Sequence, residues 1–179
     1  MVTFIKVTSI ALLLLFMVRF IGTLPYKISF NFTNSMPVGM YIIQMDINHN
    51  KLQHGDLVAV CVPDKLFSQL AISRKYLSRG ACHYGTAFEL KELSGLPGDF
   101  YLAESTSLIE INHRIIPNTM QLLKDSTGAR MYSKINPAGK LIESEYLVFG
   151  HTYNSFDSRY YGIVPKQFII GKAYPLITW

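Results

Sequence analysis

Ser35 stands in the run Asn34-Ser35-Met36-Pro37-Val38-Gly39-Met40-Tyr41, a hydroxyl placed directly before Met-Pro and closely followed by a glycine. Serine becomes a nucleophile only when a base takes its proton. Lys91 opens the stretch KELSGLPGD, and a lysine whose charged form is disfavoured by burial can be that base. Ser155, Asp157 and Arg159 are spaced two apart in NSFDSRYYG, so in extended chain they share one face. Each stretch also has a plain structural reading. Asn, Ser, Pro and Gly clusters mark turns whatever their function. Gly95, Pro97, Gly98 and Asp99 read as a tight hairpin turn beside a surface lysine, and Asp157 with Arg159 reads as a surface ion pair of little energetic value.

Other chemistries find less support. His49, His54, His83, His113 and His151 show neither HxxxH nor Cys/His ligand spacing, so the reading assigns no metal and no cofactor. No GxSxG elbow, GxGxxG run or P-loop occurs. The formal charge of +5 is spread along the chain without a dense basic run, which argues against nucleic acid and agrees with a surface facing anionic lipid headgroups.

The elements that must position these residues begin with an apolar segment. Val7 to Val18 is apolar except for Thr8 and Ser9, and Phe4 to Leu24 is about the length that spans a bilayer if Lys6 and Arg19 snorkel to opposite interfaces. Residues 1–24 are therefore predicted to be a transmembrane anchor. A cleaved signal peptide is the competing reading, but no small-x-small site follows closely. Lys6 favours a cytoplasmic N-terminal side, which leaves residues 25–179 outside as one domain. In an exported domain Cys61 and Cys82 are expected to pair, the alternative being two buried reduced thiols.

Beyond Pro25, YKISFNF alternates, while GMYIIQM, DLVAVCV, EYLVFG and KQFIIGKAYPL are short apolar runs rich in β-branched and aromatic residues. The predicted fold class is mainly β, an antiparallel sheet with one short helix. That helix lies in DKLFSQLAISRKYL, capped by Asp64, with Leu66, Phe67, Leu70 and Ala71 on one face. Residues 101–146, rich in turn formers, read as a loop-rich elaboration.

Taken in order, these stretches resemble the type I signal peptidase (leader peptidase) family of Ser/Lys serine proteases. Ser35 through Tyr41 matches its nucleophile box, Gly55-Asp56-Leu57-Val58 its GDLV box, Lys91 through Asp99 its lysine box, and Ser155 through Gly162 its last box. One box alone would be a weak signal; the ordered set is specific. The likeness is greatest to TraF-type peptidases of conjugative transfer, which share the short SMPVGMY form and the arrangement of Cys61, the run from Arg74 to Cys82, and Lys91. The chain departs from common signal peptidases at Glu92, Ser94 and GHTYNS, none of which touches the dyad.

The resemblance implies a signal-peptidase-like catalytic domain in which Ser35 is the nucleophile and Lys91, desolvated and neutral, is the base. Ser155 would hold the Lys91 amine, and Asp157 with Arg159 would brace that turn. The Ser35 N–H and the Thr33 hydroxyl would meet the oxyanion. The substrate would be an extended, membrane-tethered precursor added as a strand beside residues 30–36 and 87–91, over a groove including Phe32, Met36 and Leu90, with small residues preferred before the cut. The implied setting is the outer face of a bacterial inner membrane, with the lipid bilayer and a conjugative secretion apparatus as partners and a pilin as precursor. General preprotein processing is the near alternative, and a non-catalytic scaffold of a secretion complex the distant one.

Overall fold

The computed structural model describes residues 15–17, 19, 23–105 and 107–179. The predicted anchor, residues 1–24, falls largely outside them. No helix among the described residues is long and apolar enough to cross a membrane.

From Tyr26 onward the chain is mainly antiparallel β, as its short apolar runs predict. Strands β1 (Tyr26–Asn31) and β2 (Gly39–Gln44) form a hairpin whose register runs from Tyr26 opposite Gln44 to Asn31 opposite Gly39. Residues 32–38, with Ser35, are the loop of that hairpin. Along the rest of the chain follow β3 (Leu57–Val60), β4 (Glu89–Gly95), β5 (Phe100–Leu102), β6 (Glu110–Ile111), β7 (Arg114–Ile115), β8 (Ala138–Lys140), β9 (Glu145–Phe149), β10 (Val164–Pro165) and β11 (Ile169–Thr178). They build a seven-stranded sheet in the order β1-β2-β11-β3-β4-β9-β10 and a four-stranded sheet in the order β7-β6-β5-β8. The stretch read as a loop-rich elaboration thus contains all of the smaller sheet except Phe100.

Side-chain alternation distributes the core. Tyr146 and Val148 of β9 enter the main cluster with Val58, Val60 and Leu93, whereas Leu147 and Phe149 point into a second cluster with Tyr101, Ile109 and Ile111. On the other face of β3 and β4, Ala59 and Leu90 join Met36, Tyr41, Ile43 and Ala173 in a third. Lys91 shares its face of β4 with Leu93, and that face looks into the main cluster.

Helix α1 (Lys65–Ser73) starts as predicted, the Asp64 carboxylate accepting from the Leu66 and Phe67 N–H groups, a cap worth about 1 kcal/mol. Its apolar face is narrower than expected. Ala71 is buried and Phe67 and Leu70 pack on the core, but Leu66 is 74% exposed because it lies in the first turn, beyond the packed seam. The turn after β4 is tight, with the Asp99 N–H donating to the Leu96 carbonyl at 3.0 Å. It is not a hairpin: β4 pairs with β3 and β9, whereas β5 pairs with β6 and β8, so the turn carries the chain from one sheet into the other. Cys61 and Cys82 form a disulfide, their Cα atoms 5.6 Å apart, and closing that loop constrains the unfolded chain by about 3 kcal/mol.

Candidate active site

Three segments distant in sequence converge between the hairpin loop and β4. Strand β4 is seated by the GDLV segment: Val58 lies opposite Lys91, and the Gly55 N–H donates to the Leu93 carbonyl at 2.9 Å. The Lys91 side chain therefore points inward and is only 2% exposed. Its Nζ donates to Ser155 Oγ at 3.1 Å and lies 2.9 Å from Glu89 Oε2, a buried ion pair.

The loop carrying Ser35 is braced from several sides. Asn31 Nδ2 donates to the carbonyls of Thr33, Met36 and Pro37 at 2.9–3.0 Å, and the buried Tyr41 hydroxyl donates to the Pro37 carbonyl at 2.5 Å. Gly39 allows β11 to approach, since a Cβ there would stand 2.2 Å from the Ile177 carbonyl oxygen. Ser35 itself is half-buried, and its Oγ is 3.2 Å from Thr33 Oγ1. Because Thr33 Oγ1 donates to Asn31 Oδ1 at 2.9 Å, the Ser35 hydroxyl is the donor to Thr33 in that arrangement. Among the described residues no hydrogen bond joins Ser35 Oγ to Lys91 Nζ.

The third segment follows β9. The His151 N–H donates to the Ser35 carbonyl at 2.6 Å, which fixes the hairpin loop against residues 150–151. A Cβ on Gly150 would lie 2.2 Å from Ser155 Oγ and 3.0 Å from the Ser35 carbonyl oxygen, so glycine is what lets the two serine segments meet. Asp157 caps α2 (Ser158–Tyr161), accepting from the Arg159 N–H at 3.2 Å. It is no surface pair. Asp157 and Arg159 are both fully buried and bidentate, Nε to Oδ1 and Nη2 to Oδ2, each at 2.8 Å. Asp157 Oδ2 also accepts from the Gly150 N–H at 2.9 Å. Arg159 then spends its other donors on the carbonyls of Asn118, Tyr153 and Thr152 at 2.6, 2.7 and 3.2 Å. Such an arrangement fixes Gly150 and the backbone around Ser155 from below.

Ser35, Thr33, Lys91, Ser155, Asp157 and Arg159 thus come together, each at a place the sequence motifs single out. The proposed substrate contacts divide. Phe32 is 78% exposed and stacks on Phe30, whereas Met36 and Leu90 are packed inside the third core cluster. Glu89, Asn31 and Gly150 were not singled out as site residues. For Glu89 a signal existed, since alternation puts it on the Lys91 face; Asn31 and Gly150 act through backbone contacts that no spacing encodes. Burial pushes the Glu89 carboxyl up to about 6, with Lys91 opposing and Asp157 adding to the rise. The buried Tyr161 hydroxyl is raised well above its ordinary value by desolvation and by the Glu89 and Asp157 carboxylates. His151 turns away from the serine, its Nε2 2.8 Å from Glu92 Oε2.

A buried amine is held by Ser155, and the braced Ser35 loop meets the same segment at Gly150, all on an antiparallel β framework. The chain belongs to the family "Signal peptidase, peptidase S26", whose family model matches residues 1–179. Among its relatives, "Conjugal transfer protein TraF" of Agrobacterium tumefaciens (strain 15955) is 30% identical over 150 residues, 83% of this chain and 81% of the relative. The protein of the same name from Agrobacterium fabrum (strain C58 / ATCC 33970) is 31% identical over 151 residues, with the same coverage. "Plasmid transfer protein TraF" of Escherichia coli is 26% identical over 150 residues, 83% of this chain and 82% of the relative. The crystal structure of a signal peptidase I from Enterococcus faecalis V583 aligns at a TM-score of 0.40 and 19% identity, over 71% of this chain and 98% of that one. Family membership and these relatives support a peptidase role in a TraF-like branch.

Proposed function

We propose that the chain is a membrane-anchored serine endopeptidase in which Ser35 is the nucleophile and Lys91 the general base, cleaving an exported, membrane-tethered precursor after a small residue. The observation that carries this reading is the Lys91 amine, buried and held by Ser155 at 3.1 Å, while Gly150 joins Ser155 to the Ser35 segment. The neutral amine is the form that takes the Ser35 proton. The Ser35 hydroxyl turns from Thr33 toward that amine when substrate enters, a rearrangement of the kind that tightens catalytic hydrogen bonds in enzyme–substrate complexes. Thr33 joins the Ser35 N–H as an oxyanion donor by swinging its hydroxyl proton from Asn31 Oδ1 to the developing oxyanion. Asp157 and Arg159 hold the framework and take no proton.

The precursor lies along a groove of about 910 Å³ that opens beside the disulfide and is lined in part by Ile28, Ser29, Ala87 and Phe88. Ile28, Phe30 and Phe32 beside it, with Leu176, Ile177 and Trp179, are exposed apolar residues that would lie against lipid at the outer face of the inner membrane. The names of the relatives point to conjugal or plasmid transfer; within that setting the proposed precursor is a conjugative pilin, with ring closure of its ends by an amine as a second fate of the acyl-enzyme.

The test is acylation. An acylating alanyl peptide or a penem is expected to add its mass to wild-type protein at Ser35 and to leave Ser35→Ala unlabelled with an unchanged melting temperature. Equal labelling of Ser35→Ala would discard Ser35 as nucleophile. A second expected result tests the convergence of segments. Gly150→Ala drives a methyl into Ser155, so the Lys91 amine loses its position and turnover falls by roughly 100-fold. Kinetics of Gly150→Ala matching wild type would mean that Ser155 does not position the amine.

A further inference from the structure

Ser155 is not the sole partner of the Lys91 amine. Glu89, two residues back on the same face of β4, sets Oε2 2.9 Å from Nζ, and the two side chains are 4% and 3% exposed. A neutral amine has two N–H bonds and one lone pair. Glu89 Oε2 and Ser155 Oγ are two acceptors, enough to engage both N–H bonds and leave the lone pair pointing away from them. When the amine gains a proton, an anion already stands beside the new charge, in surroundings where attraction is far stronger than in water. The logic is that of a carboxylate behind a catalytic histidine, which orients the base and stabilises its protonated form without taking the proton.

We propose that Glu89 is the third member of the catalytic site, a positioning residue that aims the lone pair of Lys91 and stabilises the ammonium formed as Lys91 takes the Ser35 proton. The proposal rests on the Ser35/Lys91 reading above. As Ser35 Oγ bonds to the scissile carbonyl carbon, its proton passes to Lys91 Nζ. The ammonium gives that proton to the departing amine nitrogen as the C–N bond breaks. In deacylation, water gives a proton to Lys91 as its oxygen bonds to the acyl carbon, and Ser35 Oγ recovers that proton on leaving. Glu89 remains a carboxylate throughout.

The surroundings agree with this role. Glu89 Oε1 and the Tyr161 hydroxyl of α2 are both buried without a hydrogen-bond partner among the described residues. Glu89 interacts electrostatically with Asp157, whose charge Arg159 balances, and with Lys91. The Lys91 ammonium opposes the rise that burial gives the Glu89 carboxyl, so the anion is favoured beside the charge that forms on Lys91.

The experiment compares full-length wild type, Glu89→Gln, Glu89→Asp, Lys91→Arg and Ser35→Ala in turnover of a short peptidyl p-nitrophenyl ester ending in alanine. Glu89→Gln is expected to lower kcat at least 30-fold with KM within threefold, and to move the rise of rate with pH toward lower pH, because the ammonium loses its anion. Glu89→Asp is expected to restore at least a tenth of wild-type kcat and to return the rise toward its original position. A Glu89→Gln enzyme with kcat within threefold of wild type and an unmoved profile would make the pair structural. If Glu89→Gln does not fold, lysine labelled with carbon-13 at Cε in wild-type protein decides. The Lys91 signal, assigned by its loss in Lys91→Arg, is expected to shift as the Glu89 carboxyl takes a proton near pH 6, and a signal that does not move there overturns the proposal. Turnover by Ser35→Ala and Lys91→Arg at the wild-type rate, or none by wild type, would bring down the peptidase reading itself. Loss in both with Glu89→Gln unimpaired would bring down the role of Glu89 alone.

Discussion

Lys91→Arg is expected to lower peptidase turnover by about 10³-fold or more while the protein stays folded. The substitution keeps the positive charge, nearly keeps the length and leaves Glu89 a cationic partner across a gap now 2.9 Å wide. A lysine that merely satisfied Glu89 would tolerate it. A general base cannot, because guanidinium does not surrender its proton in the accessible pH range, and positioned base catalysis contributes roughly 10² to 10⁴ in rate. Single-turnover cleavage measured with the thermal unfolding midpoint separates the outcomes. Near-normal turnover in Lys91→Arg would make the lysine structural. His151 would then be the histidine to examine, though its ring is engaged with Glu92 and only its backbone N–H reaches Ser35.

Asp157→Asn is expected to cost stability and activity together, the largest stability loss predicted for any single change in the site. The carboxylate and Arg159 are both completely buried, and removing one charge of a buried pair leaves the other uncompensated, at about 3–5 kcal/mol. For a chain of this size that lowers the unfolding midpoint by roughly 6–20 °C. The three carbonyls around Arg159 soften the loss but cannot replace the charge. Because the pair is buried, raising the salt concentration should change the difference little, unlike a surface pair. Gly150 loses a charged acceptor at the same time, so Ser155 shifts and turnover falls. A variant that melted like wild type yet had lost turnover would make Asp157 a direct participant.

Much of this was legible in local pattern. The alternation of YKISFNF, the Asp64 cap and the tight turn at Gly98-Asp99 are short-range effects, decided by residues within a few positions of one another. The burial of Lys91 was not legible there, since strand alternation puts it with Glu89 as well as Leu93 and only the family resemblance implies burial. What local pattern could not carry was pairing across long sequence distances. Whether Asp157 and Arg159 lie on the surface or under it depends on residues 118, 152 and 153 closing over them. The exposure of Leu66 and the burial of Met36 and Leu90 likewise follow from which sheet face each residue meets. The turn after β4 looks the same in sequence whether the next strand folds back or crosses to another sheet. Glu89 lay on the predicted face and still carried no motif, because its meaning comes from the 2.9 Å contact and from the hydroxyl of Ser155 beyond it.

Strand β11 lies between β2 and β3, and the Trp179 N–H donates to the Val38 carbonyl at 3.0 Å. Pairings that span nearly the whole chain form late, after the entropy of closing a long loop has been spent. During synthesis the hairpin carrying Ser35 can form early, and β3 can meet β4 once residue 95 has emerged. The two parts cannot be joined into one sheet until Ile169–Thr178 has been made, and the residues that fix Ser155 also come late. A ribosome-bound or truncated chain would therefore carry its serine and its lysine unassembled. On the peptidase reading proposed above, activity would begin only when β11 is inserted.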